Sequence, residues 1–525
     1  MRSQAYRRNS DPGKPDVSAG RLLSGSGLRT IALLTGMGIS FFMMPFLIRS
    51  LGDHWYGLWI LVASTLGFYG VFDMGLASAT QRYISHALAT DDHDRLNTIL
   101  SNSLFIYCII AAFAVVATVI IFFCAPVFFD SSEDTQTFQF IILVMGCTFA
   151  IHFVMNAYYG ILSAYLRFDI QAIVDITKTV LRASCIYLIF QLDPSVINLA
   201  LITVLFDLVA QYLILKAAQR EANWISPSLA LVSKDGIREL MGFGINSFIM
   251  FIGQQTRDRG PHFAIASILS IASVTLFQIA SQLIQYLNQL QSSLLGVLMP
   301  SFTRLFGEGK NEELSKNYLF SLKLSALTAS CLCGGIISLG QPFITFWIGP
   351  GYEEAYYAVA AMALGYFFVL VHYPSFQLIV ALAEHKIFAR YEVVEGVVLI
   401  VGAIAVAPLK GVTGVAIVLG TLLAISRFSV MPILVIKAWP EVKKSLYGEI
   451  IKLTFLALCT QGGIFLFMTR ALEGFSFFAL IPYAFVMYTL AVVIFIIFST
   501  TTDEKAWVKN TLVSLVSKVQ GNLKL

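Results

Sequence analysis

Charge is what this chain has least of. Asp, Glu, Lys and Arg make up 13% of its 525 residues, about half the ~25% usual for soluble domains. Hydrophobic residues make up 57% and the mean hydropathy is +0.76. No soluble core could absorb so much apolar sequence, which excludes a soluble globular domain. The net charge of +4 is small and gives a nucleic-acid partner no support. The seven cysteines all lie in apolar stretches, without a CxxC or Cys/His spacing that would hold a metal. Gly-rich phosphate loops, metal-ligand His/Asp/Glu spacings and nucleophile motifs are also missing. These absences argue against an enzyme and imply neither a cofactor nor a metal. A cleaved leader is not expected. The first apolar run begins near Leu28 behind a basic tail and is too long for a signal core.

What is there is a series of long apolar runs. A spanning helix needs about 20 mostly apolar residues. Fourteen segments qualify: 27–48, 55–85, 98–124, 136–163, 169–190, 195–217, 239–268, 273–302, 314–341, 354–381, 387–408, 412–436, 447–469 and 475–499. The expected class is an all-α integral membrane protein. Lys and Arg concentrate on cytoplasmic loops. With the N-terminus inside, the even-numbered connections carry Arg82, Arg95, Arg167, Lys216, Arg220 and Lys234, and further along Arg304, Lys386 and Lys443. The opposite side has Arg49, Lys410 and Arg470 only, so both termini are expected in the cytoplasm. Five of six tryptophans (Trp55, Trp59, Trp224, Trp347 and Trp439) fall at span ends, as an aromatic belt requires. The tail 500–525 pairs Trp507 and Leu512 with Lys505 and Lys509, a pattern for a helix lying on the inner surface.

Four junctions repeat at offsets of 216 to 218, among them Leu51 with Leu269 and Val196 with Val412. The reading is two six-helix lobes in parallel repeat, plus a C-terminal helix pair. The domains run as a basic tail 1–26, an N-lobe 27–218, a C-lobe 239–436, spans 13 and 14 at 447–499, and the tail. Parallel repeats of this kind place substrate near the midplane between the halves.

Charges inside such spans are functional candidates. Arg257, Asp258 and Arg259 stand together in the seventh span, followed by Gly260 and Pro261, where a kink is expected. Successive residues point about 100° apart on a helix, so one arginine should pair with Asp258 and the other face a cavity. Asp175, Lys178 and Arg182 share one face of the fifth span. Asp175 with Lys178 reads as a self-neutralising pair, with Arg182 the net cation. Glu392 and Glu395 occupy the corresponding face of the eleventh span, near the cytoplasmic end, where snorkelling to water competes with a site. Asp73, Asp207 and Arg427 are isolated intramembrane charges. His152 and His372 read as polar packing.

Ser50-Leu51-Gly52, Tyr56-Gly57-Leu58-Trp59, Phe72-Asp73-Met74-Gly75-Leu76, Arg82-Tyr83-Ile84 and Asn97 resemble the opening of bacterial Wzx-like polysaccharide flippases. These belong to the multidrug/oligosaccharidyl-lipid/polysaccharide exporter superfamily. The middle of the seventh span, with Asp258, and the loop Leu382 to Lys386 are similar as well. The resemblance implies transfer of an undecaprenyl-diphosphate-linked oligosaccharide between the leaflets of a bacterial plasma membrane by alternating access, for O-antigen, capsule or exopolysaccharide. On that reading Arg257, Arg259, Lys178, Arg182 and Arg427 are candidates for the anionic head. Asp73, Asp175, Asp207, Asp258, Glu392 and Glu395 are candidates for charge balance or for coupling to H+ or Na+. Membrane lipids, a polysaccharide polymerase and a chain-length regulator are the implied partners. A multidrug exporter, a lipid II flippase and a non-transporting scaffold are the competing readings. Arginines in the interior argue against a site for cationic drugs.

Overall fold

The computed structural model describes residues 19–499 apart from 74, 91, 223–225, 242–244, 383 and 472–476. The basic tail up to residue 18, Trp224 and the tail 500–525 lie outside the described residues, as does Met74 of the Asp73-Met74-Gly75 motif. No strand occurs among the described residues. In chain order the helices are α1 (Ala19–Tyr69), α2 (Leu76–Ala89), α3 (His93–Phe128), α4 (Ser132–Ala164), α5 (Phe168–Phe190), α6 (Val196–Glu221), α7 (Lys234–Met241), α8 (Ile245–Ile268) and α9 (Ile271–Leu295). There follow α10 (Leu298–Gly307), α11 (Asn311–Trp347), α12 (Glu353–Val371), α13 (Tyr373–Ala381), α14 (His385–Ile425), α15 (Met431–Ala438), α16 (Lys443–Ala471) and α17 (Phe477–Ser499). Local chemistry starts several of them. Asp92 accepts from the Arg95 amide ahead of α3, Ser131 from that of Asp134 ahead of α4, and Ser195 from that of Ile197 ahead of α6. Each satisfies an amide that the first helical turn leaves open.

Nine helical stretches among the described residues are long and apolar enough to cross a membrane. Two of them, Gly27–Asp73 and Arg390–Ala438, have 47 and 49 residues. A straight helix of that length would run ~70 Å, against a hydrocarbon core of ~30 Å. Each is divided at a glycine with non-helical backbone: Gly52 (φ 78°, ψ 165°) and Gly411 (φ 60°, ψ −151°). Both take positive φ, where a side chain is strained and glycine is not. Each of these two stretches holds two of the segments expected to span. The nine therefore take up all the expected segments but the fifth, seventh and eighth. Those three fall on α5, α8 and α9 with α10, whose charges and glutamines lower their hydropathy.

Contacts divide the chain into two compact units: Met1–Thr275 with Glu392–Gly396, and Leu276–Tyr391 with Val397–Leu525. In the first unit α3 pairs with α4, α4 with α6, and α1 with both α5 and α8. The repeat counts α8 with the second half of the chain, yet by contact it belongs to the first unit. The cause is close approach. A methyl on Gly70 would lie 3.0 Å from the Phe251 ring of α8, and one on Gly57 would clash with the Ile271 carbonyl oxygen at the start of α9. In the second unit α11 packs against α12, α16 and α17. Leu314, Tyr318, Leu322, Leu378, Val435 and Leu446 form the centre of its core. Trp347 and Trp439 are buried at 5% and 7% exposure rather than lying in an exposed belt. The Trp439 indole N–H donates to Ser315 Oγ at 2.9 Å.

Candidate functional site

Two groups of the candidate charges lie in the first unit. The first is on α8. Arg257 Nε donates to Asp258 Oδ1 at 3.1 Å, and its Nη1 reaches Glu392 Oε1 at 3.1 Å and Glu395 Oε2 at 3.4 Å. The Arg257 side chain is 12% exposed, those of Glu392 and Glu395 7% and 0%. Glycine permits the contact. A methyl on Gly253, one turn before Arg257, would lie 2.7 Å from the Glu392 carbonyl carbon. One on Gly396 would lie 3.0 Å from Thr256 Cγ2. Arg257 is thus the arginine that takes Asp258, and two further carboxylates close over it. The Nε and Nη1 donors of this guanidinium are thus engaged by protein carboxylates. Glu392 and Glu395 are buried under Arg257 and do not snorkel to water.

Arg259 is left on the same helix. It lies over Gly67 of α1, where a methyl would come 3.2 Å from its Nε. It feels the Asp258 carboxylate electrostatically but makes no ion pair among the described residues.

The second gathering lies on α5 and α6. Lys178 pairs with Asp207 on the neighbouring helix at 3.3 Å. The pair expected within α5 is thereby corrected. Asp175 stays within electrostatic range of both residues, but Asp207 takes the ammonium. Position i+3 on one helix is matched by a partner across the helix interface, and the latter has the better geometry here. Arg182, one turn beyond Lys178, has no ion-pair partner among the described residues. It lines a cavity of ≈ 240 Å³ with Tyr56, Trp59, Thr179 and Thr203. Around Lys178 and Asp207 lies a second cavity, of ≈ 190 Å³, walled by Phe149, His152, Tyr159 and Gln211.

The remaining candidates are engaged elsewhere. Asp73 follows α1 and accepts from the Tyr107 hydroxyl at 3.2 Å. Gly75 precedes α2 with φ 75°, a conformation that glycine takes without strain. Arg427 belongs to the second unit and is 4% exposed. It sits in a π-helical turn, Ser426–Val430, donates to Ser426 Oγ at 2.6 Å and stacks 5.3 Å from the Phe388 ring centre. Among the described residues Arg427 is thus packed into the second unit against Ser426 and Phe388. His372 is also buried, its Nδ1 2.9 Å from Ser375 Oγ. No group of three His, Cys, Asp or Glu side chains able to hold a metal occurs among the described residues.

The motif residues Gly57, Asp73, Gly75 and Asn97 hold the scaffold. Asn97 accepts from the Ser226 amide at 2.7 Å and pins the loop after α6. Tyr56 and Trp59 are different, because they wall the Arg182 cavity. Gln211, Tyr159 and Phe149 were not singled out from sequence. Gln211 follows Asp207 by four residues and so shares its helix face, a signal that could have found it.

Residues 46–357 match the model of a family described as polysaccharide biosynthesis protein. The chain is 21% identical to the uncharacterized membrane protein EpsK of Bacillus subtilis (strain 168) over 331 residues, 61% of this chain and 64% of EpsK. It therefore spans just under two thirds of that relative. It is 22% identical over 382 residues to a Shigella flexneri protein carrying the provisional name O-antigen transporter, over 70% of this chain and 85% of that one. Among solved structures, the lipid II flippase MurJ in an inward closed conformation superposes with a TM-score of 0.70 at 15% identity, covering 90% of this chain and 98% of its own. An inward-facing multidrug resistance transporter of the MATE family gives 0.61 at 14% identity, covering 81% and 99%. At such identities the structural likeness concerns the fold.

Proposed function

The chain belongs to the polysaccharide biosynthesis protein family, and we propose that it moves an undecaprenyl-diphosphate-linked oligosaccharide across a bacterial plasma membrane for surface polysaccharide assembly. One observation carries this reading. Arg182 and Arg259 lie on helices of membrane length without an ion pair among the described residues, while Arg257 is held by three carboxylates. A cation left unpaired in an apolar setting is costly. An anionic ligand removes that cost, and guanidinium groups suit phosphate oxygens through paired donors. Lys178 contributes less to the diphosphate, because Asp207 already holds it.

Coupling to H+ or Na+ falls in this reading to Asp175 and Asp207, two carboxylates sharing the field of one ammonium. Asp73, Asp258, Glu392 and Glu395 serve the scaffold instead. The basic even-numbered loops support cytoplasmic termini. Catalysis is no part of the proposal. A polymerase and a chain-length regulator follow as partners in the same assembly.

Reconstitution tests the reading. The full chain in proteoliposomes should bring lipid-linked oligosaccharide, purified from membranes of the source organism, to the opposite leaflet faster than protein-free vesicles. Equal rates would overturn it. Movement of lipid II alone, or of cationic drugs alone, would favour the competing transport readings.

A further inference from the structure

The cavity around Lys178 has a chemistry distinct from that of the arginines. It has a volume of ≈ 190 Å³ and lies among α1, α4, α5 and α6. The Lys178 charge is balanced by Asp207 at 3.3 Å, and Asp175 adds negative potential nearby. This field disfavours a diphosphate. Gln211 is 6% exposed, and its side-chain carbonyl oxygen is buried without a hydrogen-bond partner. A buried acceptor left open costs about 1–3 kcal/mol, so the position calls for a ligand that donates. Lys178 has three N–H donors, and one ion pair does not use them all. Part of the wall is aromatic. The His152 ring lies 5.7 Å from that of Phe149 and 6.3 Å from that of Tyr159.

We propose that this cavity receives one monosaccharide residue of the lipid-linked glycan, an inference that rests on the transport reading above. A sugar hydroxyl donates to Gln211 Oε1, and another accepts from Lys178. The C–H face of the ring lies on the aromatic wall. The volume equals roughly six waters at ~30 Å³ each and falls below the ~300–1,000 Å³ of pockets for drug-sized ligands. It suits one ring and not a chain. The diphosphate is then left to the arginines, and the two parts of the substrate are read by different side chains.

The test uses the full chain in lipid nanodiscs and two probes: lipid-linked oligosaccharide purified from the source organism, and undecaprenyl diphosphate without sugar. The wild type is expected to bind the glycan-bearing lipid about tenfold more tightly, as one good hydrogen bond to a buried acceptor allows. Gln211→Leu should remove that advantage and leave the affinity for undecaprenyl diphosphate within about twofold. Tyr159→Leu, which alters the aromatic part of the wall, should act the same way and stands in if the first variant folds poorly. Unchanged affinity for the glycan-bearing lipid in both variants would overturn the sugar site. So would equal weakening toward both probes, which would assign the cavity to the diphosphate. If the wild type binds neither probe, the transport reading itself fails.

Discussion

Arg257 and Arg182 are both arginines on membrane-length helices of the same unit, yet they are used in opposite ways. Arg257 is 12% exposed and ion-paired to Asp258, Glu392 and Glu395. Among the described residues Arg182 has no ion-pair partner, and it lines a cavity with Tyr56 and Trp59. The difference teaches that an intramembrane charge is not a ligand site by its presence alone. What decides is how many of its donors the protein has already taken. By that standard the Arg257-Asp258-Arg259 run splits: Arg257 is held by three carboxylates, and Arg259 makes no ion pair among the described residues.

The comparison breaks first at Arg257. Arg257→Ala strips buried carboxylates of their cation, and removal of one partner from a buried pair costs about 3–5 kcal/mol. The folded yield in detergent and the unfolding midpoint should fall sharply, and an unchanged midpoint would count against the structural role. Gly253→Ala should be milder. It forces a methyl to within 2.7 Å of the Glu392 backbone, and overpacking of this kind costs about 1–3 kcal/mol. Its unfolding midpoint should lie between those of wild type and Arg257→Ala.

The helical class was legible in the sequence because hydropathy over some twenty residues reports directly on burial in lipid. Nine stretches among the described residues are long and apolar enough to cross a membrane, and the two longest are divided where Gly52 and Gly411 take positive φ. The pairing of one arginine with Asp258 was legible because the residues are adjacent. The closure of Glu392 and Glu395 over Arg257 was not, because it joins residues 135 and 138 positions apart through an approach only Gly253 and Gly396 permit. The Lys178 partner was misread for a related reason. The i, i+3 spacing shows one face of α5 but not the Asp207 that α6 sets against it. Gln211 shares a helix face with Asp207, but the sequence does not show that its oxygen is buried without a partner.

The most direct test of the division between committed and available arginines is the affinity of the full chain in nanodiscs for undecaprenyl diphosphate. In the double variant Arg182→Gln with Arg259→Gln, two charge-assisted contacts of about 1.5–3 kcal/mol each are lost. The dissociation constant should rise by roughly 100-fold or more, with the unfolding midpoint unchanged. An unchanged dissociation constant in that variant would contradict the account.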